Sequence, residues 1–139
     1  MAIQRIKLMD KCYNETNIAV IFELVRISND DDMSIFDFKV ISTFEHTTLE
    51  TQLTLFEDDL ECLQELPGAL NVTEITFLEP DLSFTIIDDA YDDVTVYVNF
   101  DSGLRHSNIV TDSGLALRLN VTRETLQTFF DEIIRMTSQ

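Results

Sequence analysis

The chain has 139 residues, with 9 lysines and arginines against 26 aspartates and glutamates, a formal charge of -17; that sign excludes a protein that grips nucleic acid through its phosphates, which takes clustered cations. At 45% apolar and 25% charged residues, the composition is that of one folded domain, residues 1–139, large enough to bury a core without staples. Two cysteines, Cys12 and Cys62, exclude a disulfide framework, and the lack of a long apolar run or a secretory h-region predicts a cytoplasmic protein that neither spans nor enters a membrane.

A period of two dominates the chain. Ile18, Val20, Phe22 and Leu24 form one face of a strand whose other face carries Ala19, Ile21, Val25 and Ile27, which predicts a central strand covered on both sides. Asn29, Asp30, Asp31 and Asp32 supply turn residues before Ile35 to Thr43, so a hairpin is expected. Alternation resumes at Leu49–Leu55, Leu82–Ile86, Val94–Phe100 and Leu115–Val121.

Two segments leave this period. Leu60, Leu63 and Leu66 have helical spacing, Asp58 and Glu61 stand at capping-box spacing, and Pro67-Gly68 ends the pattern, which predicts a short acidic helix. From Thr122, a capping hydroxyl leads into Leu126, Phe129, Phe130, Ile133 and Ile134, one apolar stripe of an amphipathic helix. Strands first and isolated helices after define an α+β fold: a curved antiparallel sheet or sandwich-like meander with a short mid-chain helix and a C-terminal amphipathic helix.

The charge is regional. Residues 40–104 hold 15 of the 26 carboxylates and no lysine or arginine. A solvated face accounts for such a stretch, and so does an electrostatic docking surface, whose field speeds encounter with a cationic partner and penalises wrong ones.

Catalytic constellations are missing. Three glycines leave no phosphate-binding loop, no G-x-S-x-G elbow occurs, and His46 and His106 lie near strand ends beside polar residues. Cys12 and Cys62 read as bystander or buried thiols. The run Asp88-Asp89-Ala90-Tyr91-Asp92-Asp93 offers four carboxylates to a hard cation, but it lacks the glycine and terminal glutamate of a calcium loop and reads better as a charged hairpin loop. The expectation is a protein with no catalytic residues, no metal and no cofactor.

Leu53-Thr54-Leu55-Phe56, the short helix 57–66, Phe77-Leu78-Glu79-Pro80-Asp81-Leu82-Ser83-Phe84, the alternating Val94–Phe100 and the helix Thr122–Met136 together resemble the WapI-type immunity proteins over residues 43–136. The resemblance rests on patterns of residue type. It implies a non-enzymatic bacterial antidote to a polymorphic or contact-delivered toxin. Many such toxins are nucleases with a basic groove, so the implied partner is a cognate toxin C-terminal domain, occluded by an acidic face; direct binding of nucleic acid is not implied. The toxin-binding carboxylates expected on this reading are Glu57, Asp58, Asp59 and Glu61 at the short helix and Asp88, Asp89, Asp92 and Asp93 at the loop. The alternative is an acidic nucleic-acid mimic that inhibits DNA- or RNA-binding proteins more broadly.

Overall fold

A computed structural model describes residues 4–64, 71–78, 82–88, 93–100 and 115–138. It contains two four-stranded antiparallel sheets. The first has the order β1 (Gln4–Met9), β2 (Ala19–Asp30), β3 (Met33–Phe44), β4 (Thr47–Phe56), and the second β5 (Asn71–Ile75), β6 (Leu82–Asp88), β7 (Asp93–Phe100), β8 (Leu115–Thr122). Three helices accompany them: α1 (Tyr13–Thr16), α2 (Glu57–Glu61) and α3 (Arg123–Thr137). The expected α+β class, mid-chain helix and C-terminal helix are all present. No helix among the described residues is long and apolar enough to cross a membrane.

Alternation builds one core from both sheets. Val20, Phe22, Phe38, Val40, Leu53 and Leu55 of the first sheet and Phe84, Ile86, Val96, Val98 and Leu119 of the second are all buried in a single cluster. Phe22 and Phe84 meet across the sheets with centroids 6.2 Å apart. Helix α3 closes this junction, since Phe129 stands edge-on to Phe22 at 5.3 Å and Phe130 edge-on to Phe84 at 5.5 Å. Such ring pairs add about 0.5–1.5 kcal/mol each beyond their buried area. Leu126, Ile133 and Met136 complete the buried stripe, while Ile134 is only partly buried. The helix starts as its sequence predicts: the Thr122 hydroxyl accepts from the Thr125 amide at 3.1 Å.

Four local expectations are corrected. Strand β2 is central, and its outer face is covered at Ala19 but open from the bulge onward: the register against β3 slips between Leu24 and Arg26, and Val25 is 63% exposed. A bulge inserts one residue and moves the following side chains to the other face, so apolar residues of both parities do not mean two covered faces. The sequence pattern does not predict strand β1 or helix α1, because Ile6 and Leu8 alternate with Arg5 and Lys7 for too few residues to register. Strand β5 was also unexpected; Val72 points outward while Thr73 and Ile75 take the inward register positions. Finally, α2 is shorter than 57–66. After Glu61 the amides of Cys62, Leu63 and Gln64 bond carbonyls three residues back, at 3.1–3.3 Å, the tightened winding of a helix end, and the expected stop at Pro67-Gly68 lies outside the described residues.

Candidate functional site

The β2–β3 hairpin turns on Asp31 and Asp32, with φ of 49° and 66°, while Asp30 pairs with Met33. Left-handed backbone at both central positions matches the right-handed twist of the flanking strands, and aspartate tolerates it better than most residues. In the register of β3 and β4, Ile35 lies opposite Phe56, so α2 begins beside this tip. The Glu57 carboxylate accepts from the Ser34 amide at 2.9 Å, and the Ser34 hydroxyl donates to Asn29 Oδ1 at 3.0 Å.

One end of the first sheet therefore gathers Asp30, Asp31, Asp32, Glu57, Asp58 and Glu61, all exposed. None of the six is in an ion pair among the described residues. On the outer face of the same sheet, by contrast, charges cancel locally: Arg5 binds Glu23 at 2.6 Å, Arg26 binds Asp37 at 2.9 Å and Lys39 binds Glu50 at 3.1 Å. A groove of about 800 Å³ on that face is lined by Val25, Arg26, Asp37, Lys39, Glu50 and Thr54, among others; its charged groups pair with one another.

The structure sorts the eight carboxylates expected at the site. Glu57, Asp58 and Glu61 belong to the acidic end. Asp59 does not: it is 6% exposed, and its oxygens accept from the amides of Phe56 at 2.9 Å and Leu78 at 3.0 Å. The first bond closes half of a capping box at the start of α2. The helical spacing of Asp58 and Glu61 suggested a different box, since the sequence alone does not show that Phe56 occupies the N-cap. The second bond ties α2 to the segment after β5.

Asp88 is likewise 6% exposed and pairs with Arg123, the first residue of α3. Asp93 pairs with Lys11, whose ammonium is held above its ordinary pKa chiefly by the hydrogen bond to that carboxylate. Asp89 and Asp92 lie outside the described residues. The two expected groups are not neighbours. Lys11 follows β1, whose last residue Met9 pairs with Ala19 at the start of β2, whereas α2 adjoins the far end of β2 at Asp30. The length of β2 between those points is roughly 35 Å at about 3.3 Å per residue.

Sequence alone assigns Asp30, Asp31 and Asp32 only to a turn. Their signal was visible as three successive aspartates, but their neighbours became known only through the strand register. Among the described residues, no group of three or more histidines, cysteines or acids is placed to hold a metal. His46 is exposed in the β3–β4 turn, Cys12 and Cys62 are exposed free thiols, and His106 lies outside the described residues.

Comparison of the chain with protein-family profiles, with curated proteins and with solved structures finds no match.

Proposed function

We propose that the chain is a bacterial immunity protein, a cytoplasmic inhibitor that neutralises one cognate toxin domain by binding it, with no catalytic step. The observation that carries this reading is the acidic end of the first sheet. There six exposed carboxylates, Asp30–Asp32 with Glu57, Asp58 and Glu61, stand on a hairpin and helix joined by the Glu57–Ser34 bond, with no cation pairing any of them among the described residues. A basic nuclease surface is the complementary partner. Carboxylates there accept charge-assisted bonds from arginine and lysine, bidentate with arginine, and their field raises the encounter rate by about 10- to 1000-fold. Occlusion of a phosphate-binding groove then excludes the toxin's substrate.

The likeness to WapI-type immunity proteins supports the same class. It extends across β4, α2, β6, β7 and α3, but the acidic end also uses Asp30–Asp32, which lie before the stretch that carries the resemblance.

The test is rescue and capture. A basic toxin domain, sought in the reading frame next to that of this chain, is co-expressed with it, and the purified pair is run by gel filtration at low and high salt. Restored growth and a stable complex are expected. A toxin that kills with this chain present, or a mixture that elutes as two separate proteins, overturns the proposal. A nucleic-acid mimic is distinguished by breadth, because it inhibits several unrelated DNA- or RNA-binding proteins, whereas an immunity protein protects against one toxin.

A further inference from the structure

Among the described residues the two sheets leave four edge strands, β1, β4, β5 and β8, and a free edge is a template for another strand unless something blunts it. Three are blunted. β1 has six residues, carries Arg5 and Lys7, and lies against α3. β5 has five residues. At β8, the Lys11 amide donates to the Asn120 carbonyl at 2.8 Å and the Asn120 amide donates to Asp10 at 2.7 Å.

β4 differs from all three. It has ten residues, TTLETQLTLF, with no lysine, arginine, proline or glycine, and its pairing with β3 runs from Phe56 to Thr47 without a bulge. Its one charge, Glu50, is engaged by Lys39 at 3.1 Å. Among the described residues no strand pairs with its outer edge.

The edge is also self-complementary. Antiparallel pairing with a second copy about a two-fold axis through Thr51 sets Leu49 opposite Leu53 of the second copy, Thr48 opposite Thr54 and Glu50 opposite Gln52. The leucines fall on the core face and the others on the outer face, as the register with β3 requires. Leu49, only partly buried in one chain, gains an apolar neighbour; threonine pairs are among the favourable cross-strand combinations, and Glu50 opposite Gln52 brings no like charges together. Within β4 itself no like charges meet. We propose that β4 is a homodimerisation edge, through which two copies join their first sheets into one eight-stranded sheet of isologous symmetry.

The charge of -17 per chain opposes association, so added salt, by screening it, strengthens the dimer. That is the reverse of what salt does to an acidic surface meeting a basic partner. The inference rests on the edge and not on the toxin reading, and a dimer without toxin affinity sustains it while removing the other.

The decisive variant is Gln52→Glu. Within its own chain position 52 is exposed and lies opposite Lys39, which the new carboxylate shares with Glu50, so the fold is kept, as circular dichroism will verify. Across the two-fold axis it meets Glu50 twice. Sedimentation velocity of the full chain, over a concentration series at low and high salt, is expected to show a species of twice the 16.0 kDa chain mass that grows with salt. Gln52→Glu raises its dissociation constant by about tenfold or more. In hydrogen exchange, the outward β4 amides slow as wild-type concentration rises. A monomer at every concentration and salt overturns the proposal. So does a dimer that survives Gln52→Glu while β4 amides exchange fast, or β4 protection that requires a different protein.

Discussion

Asp10, in the turn after β1, accepts a hydrogen bond from the backbone amide of Asn120 on β8 at 2.7 Å, across 110 positions of sequence. Its other oxygen accepts from the Cys12 amide at 3.0 Å and the Thr16 hydroxyl at 3.3 Å, so one carboxylate that is 6% exposed both shapes the β1–α1 turn and ties the first sheet to the second. Buried donors left without an acceptor cost about 1–3 kcal/mol each. Asp10→Ala is expected to lower unfolding free energy by about 2–3 kcal/mol, read as a lower urea midpoint at unchanged slope. A loss within experimental error would mean that the sheets do not depend on this tie.

Asp59 and Asp58 are adjacent in sequence and differ in role. Asp59→Ala releases the Phe56 and Leu78 amides and should cost about 2 kcal/mol of stability. Asp58→Ala, at an exposed position, should change stability by less than about 0.5 kcal/mol. Parallel denaturation curves for the two variants check the assignment.

Arg123 anchors the first turn of α3 to the buried Asp88. Removing Arg123 takes its cation from a buried carboxylate, and with the Arg123 side chain 31% exposed the cost of Arg123→Met should be about 2 kcal/mol, below the fully buried range. Adding Asp88→Asn should cost less than the sum of the single changes, a coupling that a double-mutant cycle measures.

Neutralising the acidic end tests docking without touching the core. With Asp31→Asn, Asp32→Asn, Asp58→Asn and Glu61→Gln combined, association with the cognate basic domain should slow by about tenfold at low salt and lose most of its salt dependence. Thermal stability should stay level or rise, as like charges separate. Stopped-flow rates across a salt series check this, and an unchanged rate and slope would exclude this surface as the docking face.

On α3, Arg135 bonds Glu132 at 2.6 Å and holds that carboxyl below its ordinary pKa, first through the hydrogen bond. The pair's contribution is complete above the ordinary glutamate value and disappears as pH falls through the lowered one. Lys11, raised by Asp93, has the opposite sign: its contribution is complete below the ordinary lysine value and is lost as pH climbs through the raised one. In Arg135→Ala, carboxyl titration followed by NMR should show the Glu132 midpoint moving up.

The strands β2 to β4 and β6 to β8 and the helix α3 were legible because a period of two or of 3.6 records which face of a local segment is buried. Thr122 as a cap and Leu126, Phe129, Phe130 and Ile133 as a buried stripe needed nothing beyond their own neighbours. The acidity of residues 40–104 was equally plain as composition, but composition does not say which carboxylates face water. Asp10, Asp59 and Asp88 are buried because amides or a guanidinium from distant segments meet them there, while Asp58 beside Asp59 is exposed. Local residue pattern is enough for β2 to β4, β6 to β8, α3 and the sign of the charge, but not for β1, α1 and β5, whose alternation is too short to register. Tertiary structure alone decided which acids act as internal ties and which three join Asp30–Asp32 at one end, because a carboxylate's role depends on non-local partners that strand register and sheet packing bring to it.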